Sequence, residues 1–209
     1  SSLLKNLFGL YQPLSGDVLI EGQNITTAQG AERQHIMTSF GVMYQQGALF
    51  GSMNLLENVT LFMQEYTQLT QNQMDLLARC KLDLVGLLPY ESYMPSEISG
   101  GMQKRAAIAR AMALNPRILF LDEPSAGLDP ITSADLDQTI MDLSKNLGIT
   151  FVIVSHELAS IYAIADKVIM LDKGAKGIIA EGDPKVLRDT STDPRVHQFF
   201  NRIMSKDVA

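Results

Sequence analysis

The chain has 209 residues, a formal net charge of −6, 46% hydrophobic residues and a single cysteine, Cys80. The acidic balance argues against a broad nucleic-acid footprint, which needs a basic face, and one cysteine excludes a disulfide framework or a cysteine-based metal site. No apolar run approaches the ~20 residues of a membrane helix and nothing at the start reads as a signal peptide, so a reducing, cytosolic compartment is expected, with Cys80 as a packed or half-packed thiol.

In chain order, Ser1 to Phe8 reads as a helix stopping at Gly9, with no strand before it, as expected of a fragment. Pro13, Ser15 and Gly16 mark a turn, Asp17 to Ile20 a short strand ending at Gly22, and Phe40 to Tyr44 another strand. From about 55 to 115 the texture is helical. Leu55, Leu56, Val59, Phe62 and Met63 recur on one amphipathic face, Leu76, Leu77, Leu82, Leu84 and Val85 continue it, and Pro89 and Pro95 bracket a loop. Ser99 can cap the next, alanine-rich helix. Lys104, Arg105 and Arg110 on that helix read as a solvated face. Beyond Pro116, the continuous run Ile118 to Leu121 predicts a strand buried on both faces. A helix near 131–147, a strand Thr150–Val154, a further helix, a strand Lys167–Leu171 and a short strand Ile178–Ala180 follow. This alternation predicts an α/β fold with a parallel sheet, interrupted by a helical insertion. Residues 193–209 read as a helical tail with Phe199, Phe200, Ile203 and Met204 available for packing.

Two stretches carry chemistry. The strand Ile118 to Leu121 delivers Asp122 and Glu123 at its C-terminal end, where open α/β sheets place their ligands. Asp122 is suited to hold Mg2+, through water or directly. Glu123 is suited to polarise an attacking water as general base, and Pro124 helps end the strand. An acidic pair alone is equally a solvated strand end. Ser99, Gly100 and Gly101 at a helix start expose backbone N–H groups and a positive dipole end, an anion site, although a lone Ser-Gly-Gly is more often an ordinary cap. The spacing between Ser99 and Asp122 leaves room for one helix and one strand.

Together these residues resemble the ATPase subunits of ABC transporters. Ser99-Gly100-Gly101 resembles the signature motif, Leu121-Asp122-Glu123-Pro124 the Walker B segment, and Ser125 to Pro130 the D-loop. His156 is similar to the switch histidine and Gln45 to the Q-loop glutamine. The five elements stand in the family's order. The resemblance implies a P-loop NTPase fold, a single ABC ATPase domain over 1–209 with an α-helical signature subdomain at about 55–115, and the cofactors ATP and Mg2+. It places Ser1 at the Mg2+-binding hydroxyl that closes the phosphate-binding loop, with Ser2 beside it, the loop itself and its lysine lying upstream. On that basis this chain alone is expected to bind ATP poorly and to leave a gap in its sheet.

The resemblance further implies that Gln45 contacts Mg2+ and the water, that His156 bonds the γ-phosphate, and that Asp129 lies at a dimer interface while also capping a helix. Ser99, Gly100 and Gly101 would contact ATP bound to a second ATPase subunit. Met102 departs from the family in replacing the glutamine that commonly follows the glycines, which removes a side-chain polar contact and leaves the backbone contacts. The run from Met102 to Ala111, with Gln45 to Phe50, Asp129 to Thr132 and Asp193 to Val196, is similar to the ATPases of Mla/Mce-type lipid transporters. That similarity implies an integral-membrane permease partner, an Mce-type lipid-binding protein in the complex, and a cytoplasmic location, peripheral on the inner face of the inner membrane. The permease contact is expected at Leu49, Phe50, Met53, Leu55 and Leu56. The alternatives are a soluble ABC ATPase of DNA repair or the ribosome, disfavoured by the lack of a heptad run or a second cassette, and a transporter ATPase for another cargo.

Overall fold

The run Ile118–Asp122 becomes β4, the middle strand of a three-stranded parallel sheet, in a computed structural model that describes residues 2–202. Leu119, Phe120 and Leu121 are all buried, because a parallel strand with cover on both faces has no solvent side. Its neighbours are β3 (Phe40–Met43) and β5 (Thr150–Val154), in register through Val42, Phe120 and Val152. Parallel pairing requires long crossovers. The one between β4 and β5 is the helix α6 (Pro130–Leu147), and the one between β3 and β4 contains the whole helical insertion. Among the described residues β5 has a strand on one side only.

On one face of this sheet, α1 (Ser2–Leu7) and the following Phe8 meet the hairpin β1 (Leu19–Ile20) and β2 (Gln23–Asn24) and the helix α2 (Gly30–Thr38). Leu4, Phe8, Ile20, Ile25, Ile36, Phe40 and Phe120 form one buried cluster. Phe40 and Phe120 meet edge to face at 5.3 Å, a geometry favoured by the ring quadrupoles. Arg33 ties α2 to both neighbours, donating to the carbonyls of Ile25 and Gly9.

The insertion is α3 (Leu55–Tyr66), α4 (Gln71–Leu84), two short 3-10 turns at Leu88–Tyr90 and Pro95–Glu97, and α5 (Gly100–Ala111). A capping box starts α3, with Asn54 and Glu57 each bonding the other's backbone N–H. Leu55, Val59, Met63, Ala78, Leu82, Leu87 and Ile108 are essentially inaccessible to solvent, each large side chain contributing roughly 1.5–3 kcal/mol. Phe62 does not join this face. It is 38% exposed and stacks on Tyr66, because it lies at the edge of a stripe whose centre Val59 and Met63 already fill. Leu76 and Leu84 are exposed as well. Cys80 is also exposed, on the outer side of α4, rather than packed.

The chain divides into two compact units, one running to Ser155 and the other starting at His156. The second holds α7 (Leu158–Ile164), β6 (Val168–Asp172), β7 (Gly177–Gly182), α8 (Pro184–Thr190) and α9 (Pro194–Asn201). The last two strands form a sheet of their own. β6 and β7 pair antiparallel, because the short turn between them can only make a hairpin. Val196 and Phe200 of α9 are buried against Tyr162 and Ile179, and the Tyr162 hydroxyl donates to the Phe200 carbonyl at 3.0 Å. Of the four apolar tail residues, Ile203 and Met204 lie outside the described residues.

Arg195 joins α9 to the β6–β7 turn, pairing with both Asp172 and Asp193. The Arg195 side chain holds the Asp193 carboxyl down to about 2 from its ordinary 3.8. A carboxyl depressed in the folded state adds stability above its unfolded value, and that stability is lost as pH falls through the folded value. The pair is therefore expected to stabilise this unit above about pH 4 and to fail toward pH 2. Asp193→Asn retains a helix cap but not the charge, so its acid unfolding should be shallower than wild type; superimposable acid limbs would show that the pair contributes nothing.

Candidate functional site

The acidic pair sits where β4 ends. Asp122 is the last strand residue and only 7% exposed. Glu123 follows with φ +50°, a left-handed conformation that is strained for any residue but glycine. Such strain persists only where the surroundings enforce it, and it clusters at functional sites. Here the Glu123 N–H is held by the Val154 carbonyl of β5 at 2.9 Å. The turn then closes on itself, Ala126 donating to the Glu123 carbonyl and Leu128 to that of Ser125. One Glu123 carboxylate oxygen is buried, and so is the Ser125 hydroxyl, which has no hydrogen-bond partner among the described residues.

The turn runs into α6 through Asp129, whose carboxylate accepts from the N–H groups of Ile131 and Thr132 and from the Thr132 hydroxyl. The Thr132 side-chain bond is the main cause that lowers the Asp129 carboxyl below its usual value. The helix-cap expectation for Asp129 is met. Facing α6 is the start of α5. Ser99 caps it, its hydroxyl accepting from the Met102 N–H at 3.3 Å. Gly100 is exposed, while Gly101 is buried so closely that an added Cβ would lie 2.3 Å from the Thr132 methyl.

Some of these parts meet in one cleft, which Asp122, Glu123, Ser99 and Asp129 do not line. Gln45 and Gln46, just beyond β3, line a cleft of about 410 Å3 with Gly100, Gln103, Lys104 and the turn Ala126–Leu128. Three of the sequence motifs, far apart in the chain, thus share one cavity. Its walls include the N-terminal turn of a helix and a lysine, both suited to negative charge. His156 opens the second unit and is exposed. Ser2 is the exposed first residue of α1, its carbonyl accepting from the Asn6 side chain. Ser1 lies outside the described residues.

The donors are of the kind Mg2+ takes, although Asp122 does not line the cleft with Gln45. The Asp122 carboxylate and the Gln45 amide offer hard oxygens, and Mg2+ is ordinarily held by one or two carboxylates together with substrate phosphates rather than by a protein cage. Among the described residues no group of three or more His, Cys, Asp or Glu could hold a metal alone.

Sequence reasoning missed two residues. Lys104 and Arg110 are not a solvated face: they are 8% and 6% exposed. Lys104 donates to the Gln45 carbonyl, and Arg110 to the carbonyls of Gly47 and Ala48. Neutral carbonyls of a distant loop, rather than carboxylates, receive these charges, and no charge pattern in the sequence signals that.

The family described as ABC transporter matches residues 1–126. A Mycobacterium tuberculosis protein named a probable ribonucleotide transport ATP-binding protein, mkl, is 42% identical over 201 residues, covering 96% of this chain and 55% of its own length. The Escherichia coli K12 intermembrane phospholipid transport system ATP-binding protein MlaF is 38% identical over 208 residues, covering 100% of this chain and 76% of its own. The chain therefore spans little more than half of the mycobacterial relative. Among solved structures, cbiO1 of the Clostridium perfringens ABC transporter complex cbiONQ superposes with a TM-score of 0.79 at 26% identity, covering 96% of this chain and 82% of that one. The dimeric post-hydrolysis cassette MJ0796 bound to ADP and Pi gives 0.75 at 27%, covering 87% and 79%.

Proposed function

This chain belongs to the ABC transporter family, and from that premise we propose that it is the ATP-binding and ATP-hydrolysing part of a transporter that moves phospholipid or a similar lipid between bacterial membranes. The observation that carries the ATPase reading is the carboxylate pair at the end of β4, with Asp122 buried and Glu123 held in a left-handed turn by the Val154 carbonyl. In this reading Glu123 takes the proton of the attacking water, and Asp122, Gln45 and the Ser1 hydroxyl hold Mg2+. The metal, when bound, neutralises developing phosphate charge. His156 donates to the γ-phosphate.

Ser99, Gly100 and Gly101 of one copy meet the ATP held by a second copy, with Asp129 at the seam. Nucleotide between two chains makes their association depend on ATP, which is how hydrolysis opens and closes the pair. The dimeric MJ0796 cassette, bound to ADP and Pi, supports this reading.

No described helix is long and apolar enough to cross a membrane, so the reading assigns membrane passage to a permease subunit and places this chain peripherally on the cytoplasmic face of the inner membrane. Phe50, 45% exposed, is the candidate contact of the loop after Gln45, whereas Leu55 is fully buried and is withdrawn from it. An Mce-type lipid-binding protein completes the proposed complex. The lipid reading rests on the Mla/Mce-like sequence around α5 and on the full-chain similarity to MlaF; the name given to mkl supports a nucleotide cargo instead.

Purification of the full-length protein with its membrane partners, followed by mass spectrometry of bound small molecules and lipids, decides between them. A polytopic permease carrying phospholipid is the expected result. A permease carrying a nucleotide discards the lipid assignment, and the absence of any membrane partner discards the transporter reading in favour of a soluble ABC ATPase.

A further inference from the structure

The loop that follows β3 is held in place by two buried cations from α5. It turns sharply at Gly47 and Ala48, with φ +72° and +51°, and the Gly47 N–H closes the turn on the Tyr44 carbonyl at 2.7 Å. The left-handed pair contains an alanine, for which this conformation is unfavourable by about 1–3 kcal/mol, so something must hold it. Arg110 does: its two terminal nitrogens donate to the Gly47 and Ala48 carbonyls at 2.9 and 2.5 Å, and its guanidinium lies 5.8 Å from the centre of the Phe50 ring. One turn and a half earlier on the same helix, Lys104 donates to the Gln45 carbonyl. From the other side the buried Asn58 amide accepts from the Phe50 N–H and donates to the carbonyls of Phe50, Met53 and Asn54.

Burying a cation without a counter-charge is costly. Both side chains are pushed below their ordinary pKa by desolvation, and no carboxylate is among the causes that offset it. Most of α5 is buried, and its two cations direct their donors at loop carbonyls, which fixes those carbonyls against the helix. The same helix starts with Ser99, Gly100 and Gly101, so one rigid rod of 12 residues carries the signature glycines at its tip and the grip on Gln45 along its side.

We propose that Lys104 and Arg110 are positioning residues that fix the loop backbone from Gln45 to Ala48, and through it the working position of the Gln45 amide. The inference rests on the role assigned to Gln45 in the ATPase reading above.

The test uses the full-length protein in its reconstituted membrane complex, measuring Mg-ATP turnover as kcat and KM. Gln45→Ala sets the reference loss. Lys104→Met is expected to lower kcat by roughly tenfold with KM changed less than twofold, since a small displacement of a positioned group costs rate rather than binding. Lys104→Arg should restore most of it. The double variant Lys104→Met/Gln45→Ala should turn over no more slowly than Gln45→Ala alone, the mark of two residues acting through one group. Hydrogen exchange should quicken at 45–50 in Lys104→Met and stay unchanged in α6. Should Lys104→Met fail to fold, Arg110→Lys, which keeps the charge but loses the two-carbonyl fork, should show the same kcat loss and the same non-additivity.

Unchanged kcat in these variants, or losses that multiply with Gln45→Ala, overturn the proposal. A wild-type rate for Gln45→Ala overturns it together with the role of Gln45, while leaving the ATPase reading intact. A wild-type complex that does not hydrolyse ATP is a different failure and sinks the ATPase reading itself.

Discussion

Replacing Glu123 by glutamine in the full-length protein is expected to lower ATP turnover by about 10²–10⁴-fold, the range for loss of a general base, with little change in nucleotide affinity. The structure makes this a chemical experiment. Glutamine has the same shape as glutamate and a similar backbone preference, so the left-handed φ of +50° and the bond from the residue-123 N–H to Val154 carry over. What is lost is the capacity to accept the proton of a water.

Glu123→Gly supplies the control. Glycine adopts this conformation without strain, so its backbone stability should equal or exceed that of wild type. Removing the carboxylate should nonetheless abolish turnover as completely as Glu123→Gln. A protein made no less stable but inactive separates catalytic role from structural role at one position. Equal rates for wild type and Glu123→Gln, measured as phosphate release at saturating Mg-ATP, would remove Glu123 from the base role.

The conspicuous strain at Glu123 was not legible in the sequence, although the residue was. Apolar runs such as Ile118 to Leu121 announce a buried strand regardless of context, and Thr150–Val154 matches its strand to the residue. Ser99 and Asp129 announce helix starts because their side chains satisfy local N–H groups. Elements made by tertiary contact gave no such signal. β2 has two residues, and α2 buries a single one, Ile36, so neither carries a period. α8 offers only a proline start and a short run.

Lys104 and Arg110 mark the same limit within the site. A charge on a helix reads as solvated because water is the cheapest partner for it. The partners that bury these two lie 59 to 63 residues away on a loop whose carbonyls no side-chain pattern encodes. Gly101 was legible as a glycine of the signature motif, but the reason it cannot be larger is a methyl group on α6, and only the fold supplies that.

That methyl group leads to the second large effect. Gly101→Ala places a Cβ 2.3 Å from the Thr132 Cγ2, far inside contact distance. Thr132 cannot rotate away cheaply, because its hydroxyl is engaged with the Asp129 carboxylate that caps α6. The helices must part, and overpacking of this kind costs about 1–3 kcal/mol. Thermal or denaturant unfolding of full-length Gly101→Ala should show that loss, and turnover should fall with it. Thr132→Ser deletes the offending methyl and keeps the hydroxyl, so Gly101→Ala/Thr132→Ser should recover most of the stability.

Turnover of this double variant then divides two roles for Gly101. Recovery of stability without activity means that Gly101 must also stay bare toward the nucleotide of the second copy, as the proposed dimer requires. Recovery of both means that Gly101 serves packing alone, and close approach to nucleotide then falls to Ser99 and Gly100. Gly100 can be tested without this complication: a Cβ there meets only Leu128, at an ordinary 3.7 Å. Gly100→Ala should fold like wild type, and a drop in its turnover is then attributable to the nucleotide, not to the helix pair.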